Sequence, residues 1–123
     1  MLRYLLDCLV GLRAFPNVVA YNMSKAALDQ LTRSCALDVA DRGVRVNSVN
    51  PGVIVTEAHK RSGMTDQAYE AFLEHSKTTH AMGRVGTVDE VSKAIAFLAS
   101  ADSSFITGQT LAIDGGRSIM CPR

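Results

Sequence analysis

The clearest periodic signal lies between residues 22 and 41, where apolar side chains recur every three or four positions. They are Ala27, Leu28, Leu31, Cys35 and Val39. This spacing predicts an amphipathic α-helix with a single apolar stripe. Gly43 follows at a position where glycine commonly ends a helix. The sequence "VRVNSVNPG" then alternates apolar and polar residues, which predicts a β-strand over residues 44–49 that is ended by Pro51 and Gly52.

Polar capping residues mark two further helices in the second half of the chain. Thr65 can cap the first of them, whose apolar residues lie on one side. These are Tyr69, Phe72 and Leu73. Thr87 and Glu90 have the spacing of a capping box in front of the next helix. The sequence "TLAIDGG" predicts a second strand, and the order helix, strand, helices, strand indicates an α/β fold with a parallel pair joined by a right-handed crossover.

The N-terminal sequence "MLRYLLDCLVGL" is apolar without a clear period, so it predicts neither a strand nor a helix. Asp7 interrupts the apolar run and leaves it too short for a signal peptide. We therefore interpret residues 1–12 as a divergent N-terminal peptide and residues 13–123 as one partial domain. No stretch approaches the roughly 20 apolar residues that a membrane-spanning helix needs.

Composition and charge narrow the class of protein and of partner. The 123 residues include 47% hydrophobic and 20% charged side chains, the profile of one globular domain. Thirteen Lys and Arg oppose twelve Asp and Glu without clustering, which argues against nucleic acid and membrane partners. Cys8, Cys35 and Cys121 show neither disulfide nor zinc spacing, so we expect a reduced compartment, with the cytoplasm as the location.

The start of the predicted helix holds the candidate chemistry. Tyr21 and Lys25 are four positions apart, which brings both onto one helix face. A free phenol is a poor acid or base at neutral pH, but a nearby cation favours the phenolate and lowers the phenol pKa. Such a tyrosine can transfer protons. A chain with three tyrosines also produces this spacing by chance, so the pair alone leaves both readings open.

Three further segments follow "YNMSK" in order: "ALDVADRGVRVNSVNPGVIVTE", "GRVGTVDEVSKAIAFLAS" and "ITGQTLAIDGG". With these four segments, residues 11–116 resemble the C-terminal half of a short-chain dehydrogenase/reductase. The conjunction in one order is far more specific than any single motif. The resemblance implies the C-terminal half of a Rossmann-type doubly wound parallel sheet, lacking the N-terminal dinucleotide-binding half, with two strands present in this sequence.

The resemblance also implies an oxidoreductase that moves a hydride between NAD(H) or NADP(H) and a small alcohol or carbonyl substrate. It implies that Tyr21 is the acid/base at the substrate oxygen. Lys25 would assist Tyr21 and hydrogen-bond the nicotinamide ribose. Ser24 would help to position the helix.

The segment "PGVIVT" leaves the carboxyl end of a strand, where ligands of open α/β sheets bind. The resemblance implies that Pro51 and Gly52 shape a turn beside the cofactor. It places the main chain of Ile54 at the nicotinamide carboxamide and Thr56 near the cofactor. Without the resemblance, Pro51 and Gly52 fit an ordinary turn at the end of a strand.

Two departures from the family pattern concern the substrate and the cofactor. Cys8 stands 13 positions before Tyr21, where the family usually has a substrate-orienting serine, and a thiol donates hydrogen bonds weakly. We do not expect Cys8 to be a nucleophile. None of the nine glycines forms a G-x-x-x-G-x-G or G-x-G-x-x-G turn, so no site for the adenine half is expected. NAD and NADP remain alternatives.

Residues 57–82 are expected to form a mobile cover over the site. Their apolar residues, suited to a pocket wall, are Met64, Tyr69, Phe72 and Leu73. His59, His75 and His80 match no metal-site spacing, and histidines in such a polar segment are more often solvated. We predict no metal site.

With only two strands, the 44–49 strand is expected to have one unpaired edge. The 22–41 helix is expected to expose its apolar stripe, which in the family is packed within a homo-oligomer. Two readings follow. The chain is a truncated oxidoreductase that is weakly active or inactive alone, or it is a non-catalytic fragment that pairs with a full-length relative.

Overall fold

The chain alternates strands and helices over the residues that the computed structural model describes, which are 2–6, 11, 13–57 and 63–121. The elements are β1 (Leu2–Leu6), α1 (Val19–Val39), β2 (Arg45–Pro51), α2 (Asp66–Thr78), α3 (Val88–Ala99) and β3 (Thr110–Ile113). Short 3-10 turns follow α1 at Ala40–Arg42 and α3 at Ala101–Ser103. This order confirms the α/β class. None of the described helices is long and apolar enough to cross a membrane.

The three strands form one parallel sheet in the order β1-β2-β3. Two of the sequence predictions are therefore wrong. The sheet has three strands and not two, because Leu2–Leu6 forms β1. The predicted unpaired edge of β2 is absent, because β2 pairs with a strand on each side. Residues 2–6 show no apolar–polar alternation, and strands of parallel sheets commonly read as apolar runs without it. Cys8 lies outside the described residues, and the boundary at residue 12 stays a prediction.

Both faces of β2 are covered by helices, which explains why the strand is buried along nearly its whole length. On one face, Val49 packs in an apolar cluster with Val91 and Leu98 of α3. On the other face, the side-chain amide of Asn50 donates to Asp29 of α1 over 3.1 Å, and both residues are buried. β2 is thus the core of the sheet, and its carboxyl end is held between two helices.

Helix α1 begins at Val19, three residues before the predicted start, and turns a different face to the sheet than its apolar stripe indicates. Its buried residues are Asp29, Thr32 and Ala36. Leu31 of the predicted stripe is 48% exposed. The prediction was wrong because the inner face is small or polar. Thr32 donates to the Leu28 carbonyl of its own helix over 3.0 Å, and Asp29 accepts from Asn50 of β2.

The opposite side of α1 carries four large apolar residues that are exposed to solvent. They are Val19, Met23, Leu31 and Leu37, and we call them the outer face of α1. Leu37 is 81% exposed. A helix that is apolar on its outer side as well as packed on its inner side is typical of an element that contacts a second partner.

The predicted ends of the helices are confirmed. Gly43 follows α1 and its 3-10 turn in the left-handed conformation, with φ +67°. Thr65 accepts from the Ala68 amide at the start of α2, over 3.2 Å. At the start of α3, Thr87 accepts from the Glu90 amide over 3.3 Å while Glu90 accepts from the Thr87 amide over 2.9 Å, a complete capping box.

Candidate functional site

Tyr21 and Lys25 lie in the first two turns of α1, and their side chains meet. The Lys25 ammonium nitrogen is 5.6 Å from the centre of the Tyr21 ring. Tyr21 is 45% exposed, so its phenol is open to a ligand. The Ser24 hydroxyl donates to the Tyr21 carbonyl over 2.8 Å and thereby supports the first turn. Asn22 ties that turn to the preceding loop by donating to the Phe15 carbonyl over 2.9 Å.

The carboxyl ends of β2 and β3 lie side by side, and the Gly52 amide donates to the Ile113 carbonyl over 3.1 Å. Helix α1 connects the parallel strands β1 and β2, so it must run back along the sheet. Its first turn, with Tyr21, therefore lies at the same edge as the carboxyl end of β2. This is the edge where open parallel sheets bind their ligands.

The segment Pro51–Thr56 leaves this edge in an extended form and pairs with Gly86. The Gly86 amide donates to the Val53 carbonyl over 2.9 Å, and the Val55 amide donates to the Gly86 carbonyl over 3.0 Å. Main-chain groups alternate in direction along an extended segment, so the amide and carbonyl of Ile54 point away from Gly86. A Cβ at position 86 would lie 2.6 Å from the end of the Ile54 side chain. A larger residue at position 86 would therefore have to displace the end of the Ile54 side chain.

His80 is buried beneath this segment, so the prediction that it is solvated was wrong. It is 3% exposed. Its Nδ1 lies 2.6 Å from the Ser76 carbonyl oxygen, and its Nε2 accepts from the Val53 amide over 3.2 Å. The polar sequence around it gave no sign of these main-chain partners. His75 is exposed, and His59 lies outside the described residues. The described residues contain no cluster that could hold a metal ion.

Helix α2 touches the same segment near its other end. The Tyr69 hydroxyl lies 3.2 Å from the Thr56 carbonyl oxygen and 3.3 Å from the Thr56 amide nitrogen. Tyr69 and Leu73 of the predicted apolar side are half-buried. Phe72 is exposed, so the buried side of α2 includes fewer of the predicted apolar residues than the sequence indicated.

Asp114 closes the turn after β3 and was not predicted as a site residue. Burial alone would raise its pKa, but hydrogen bonds from Ser118 and from the Gly116 amide outweigh burial and lower the pKa below the usual value. The carboxylate is therefore charged in the folded chain. A Cβ on Gly52 would lie 2.9 Å from the Asp114 Cα, so this turn packs directly on Gly52.

An open cavity of about 340 Å³ lies beside the segment, and its lining includes Ile54, His80 and Glu90. Neither Tyr21 nor Lys25 lines this cavity. We therefore place the candidate chemistry at the exposed first turn of α1 and not in the cavity.

A parallel sheet covered by helices, with a Tyr–Lys pair and a glycine-bearing segment at its carboxyl edge, is typical of a doubly wound α/β protein. A family model described as enoyl-(acyl carrier protein) reductase matches residues 5–118. The chain belongs to the short-chain dehydrogenase/reductase family.

Similar curated proteins are oxidoreductases that are longer than this chain. A glucose 1-dehydrogenase of Gluconobacter oxydans is 41% identical over 104 residues, which are 85% of this chain and 38% of that protein. The 3-oxoacyl-[acyl-carrier-protein] reductase FabG of Rickettsia prowazekii is 40% identical over 111 residues, covering 90% of this chain and 44% of that protein. The chain thus spans less than half the length of these relatives.

Solved structures of short-chain dehydrogenases are also similar to this chain, which again covers about half of their length. A short-chain dehydrogenase/reductase of unknown function from Caenorhabditis elegans, solved with cofactor, superposes with a TM-score of 0.90 at 37% identity, covering 98% of this chain and 46% of that one. ElxO with NADP bound has a TM-score of 0.85 at 34% identity, over 97% and 47% of the two chains. A 4-hydroxyisoleucine dehydrogenase complexed with NADH and succinate has a TM-score of 0.83 at 32% identity, over 97% and 46%.

Proposed function

We propose that this chain carries the catalytic half of an oxidoreductase acting on a small alcohol or carbonyl substrate with NAD(H) or NADP(H). The observation that carries the proposal is the contact of the Lys25 ammonium with the exposed Tyr21 ring at the carboxyl edge of the sheet. An ammonium held near a phenol favours the phenolate by charge. Tyr21 then donates a proton to the substrate oxygen in reduction and removes one in oxidation.

The described residues fit the nicotinamide half of such a cofactor. Lys25 offers ammonium donors for ribose hydroxyls, and the main chain of Ile54 offers one donor and one acceptor, the set that a carboxamide needs. Pro51 and Gly52 shape the turn that leads to Ile54, and Thr56 follows beside it. When bound, the cofactor supplies or accepts the hydride. No glycine-rich phosphate-binding turn occurs in the sequence, so we propose that the adenine half is held by residues outside this chain.

The proposed working form is a cytoplasmic homo-oligomer in which the outer face of α1 contacts a second copy. Large exposed apolar residues on one helix face favour such an interface. We expect neither nucleic acid nor membrane as a partner, because the formal net charge is only +1 and both signs are scattered.

A second candidate function rests on the same outer face of α1. The chain could pair with a full-length relative through this face and alter that oligomer without catalysing a reaction. On either reading we propose that the isolated chain binds dinucleotide weakly and turns over slowly or not at all.

The test begins with a thermal melt of the purified 123-residue chain followed by circular dichroism, and continues with calorimetric titration by NADH and by NADPH. A fusion protein is then made, in which this chain replaces the region that it matches in the Rickettsia prowazekii reductase. The catalytic proposal expects weak binding by the chain alone, and binding plus carbonyl reduction by the fusion protein. A folded fusion protein that binds NADPH but reduces none of a panel of carbonyl substrates would favour the non-catalytic role.

A further inference from the structure

His80 occupies a position between α2 and the Pro51–Thr56 segment that neither the sequence motifs nor the proposed chemistry uses. It follows the end of α2 by two residues and is nearly fully buried. One ring nitrogen faces the Ser76 carbonyl of α2, and the other faces the Val53 amide of the segment. The imidazole thus joins two elements by their main chains.

These two partners define the protonation of the ring. A carbonyl oxygen can only accept, so Nδ1 must carry the hydrogen; an amide can only donate, so Nε2 must present its lone pair. The two bonds together therefore require the Nδ1–H tautomer of His80. No other tautomer and no imidazolium keeps both bonds.

The bond to Val53 has a direct consequence for Ile54. The Val53 amide is held by His80, and the Val53 carbonyl is held by the Gly86 amide. Because the peptide unit is planar and trans, fixing the Val53 carbonyl also fixes the Ile54 amide in the opposite direction. Both peptide units that lead into Ile54 are thus fixed.

The room for this contact comes from Gly52. A Cβ at position 52 would lie 2.9 Å from the His80 Nε2. The imidazole could not approach the Val53 amide past any larger residue. Gly52 in the sequence "PGV" therefore leaves room for the His80 ring and also shapes the turn.

We propose that His80, in its Nδ1–H form, is a positioning residue that fixes the Ile54 main chain for the nicotinamide carboxamide and couples it to α2. The role at the carboxamide rests on the proposed function. Together with the Tyr69 contact at Thr56, the His80 contact at Val53 attaches α2 to the segment at two points, so helix and segment shift as one unit. His80 acts on the orientation of the cofactor and not on the transferred proton.

The pair of His80 hydrogen bonds to Ser76 and Val53, which we call the bridge, is tested without catalysis. The method is nitrogen-15 NMR of the histidines in the 123-residue chain and in the fusion protein. We expect one histidine with a protonated Nδ1 and a pyridine-type Nε2 coupled to a slowly exchanging Val53 amide, and we expect His80→Phe to remove these signals. If the chain alone has no cooperative melt, the fusion protein gives the result. An exposed His80, or a ring protonated at Nε2, in the folded fusion protein overturns the proposal.

The positioning role is tested by steady-state kinetics of the fusion protein with two variants that each keep one bond. His80→Gln can present an acceptor near the Nε2 position, whereas His80→Asn can present a donor near the Nδ1 position. Loss of a buried hydrogen bond predicts about a tenfold rise in the KM for NADPH in His80→Asn and His80→Phe, with kcat changed less and with recovery in His80→Gln. His75→Phe, an exposed histidine on α2, is the matched control and should leave both constants unchanged.

A purely structural role for His80 predicts that the KM for NADPH follows thermal stability, with His80→Gln and His80→Asn equally impaired. That result would overturn the proposal. Failure of the oxidoreductase proposal is distinguishable, because it would appear as no turnover in the unmodified fusion protein while the NMR signature of the bridge persists.

Discussion

At the scale of single residues, the proposed chemistry depends on one cation held beside one phenol. The Lys25 ammonium lies 5.6 Å from the centre of the Tyr21 ring, near enough to favour the phenolate. The proposed function gives the two residues separable roles. Tyr21 would transfer the proton, whereas Lys25 would assist that transfer and also bind the cofactor.

Lys25→Ala in the fusion protein should therefore harm binding and turnover together. Loss of a charged hydrogen-bond donor predicts a Kd for NADPH that is roughly ten- to a hundredfold higher, with lower kcat, measured by calorimetry and by absorbance of NADPH. Arg33→Ala removes an exposed cation two turns further along α1 and is the control. An unchanged Kd for Lys25→Ala would rule out the ribose contact.

Gly52 is a residue at which packing against main chain leaves no room for a side chain. A Cβ at this position would lie 2.9 Å from the His80 Nε2 and 2.9 Å from the Asp114 Cα, and the latter is main chain that cannot rotate away. Gly52→Ala should destabilise the fold by about 1–3 kcal/mol, measured by chemical denaturation. A free energy of unfolding equal to that of the unmodified chain would show that the turn after β3 is not packed as described.

At the scale of elements, the start of α3 combines a capping box with an ion pair. Arg84 donates to both carboxylate oxygens of Glu90, over 2.6 and 3.0 Å. The hydrogen bond from Arg84 and that from the Thr87 amide lower the pKa of Glu90 to about 2. Gly86 lies between Arg84 and Glu90 in the chain. The ion pair therefore also stabilises the loop whose Gly86 pairs with the Pro51–Thr56 segment.

The depressed pKa of Glu90 predicts a specific acid sensitivity. The stabilisation is fully present above the ordinary pKa of 4.5 and is lost as the pH falls towards the folded-state pKa of about 2. Glu90→Gln should therefore flatten the dependence of Tm on pH across this interval, and Arg84→Met should flatten it in part, because the Thr87 amide still bonds the carboxylate. Thermal melts at a series of pH values give the result, and parallel profiles for all three proteins would contradict it.

The elements also show what the sequence can and cannot predict. Capping residues such as Thr65 and Thr87 act within one helix turn, so their roles were visible in sequence. β1 was missed because the five residues of a strand in a parallel sheet need not alternate. The inner face of α1 was missed because Asp29 becomes a core residue only through Asn50, a contact that local sequence does not encode.

At the scale of the whole molecule, the candidate site is assembled from distant parts of the chain. The Tyr–Lys pair and the Pro51–Thr56 segment were predicted from motifs, because each motif is contiguous. His80 and Asp114 were not, because their importance arises where the chain returns to Gly52. The sheet brings these parts to one edge, and the family to which the chain belongs uses oxidoreductase chemistry in the relatives named above.

We propose that Tyr21 is the catalytic acid/base, and a comparison of the fusion protein with its Tyr21→Phe variant tests this proposal. Phenylalanine keeps the ring and removes the hydroxyl group that carries the transferable proton. We expect NADPH affinity within about twofold of the unmodified value and a fall in kcat of at least about a hundredfold, the usual scale for loss of an acid/base group. Turnover that persists in a folded Tyr21→Phe protein would contradict the account.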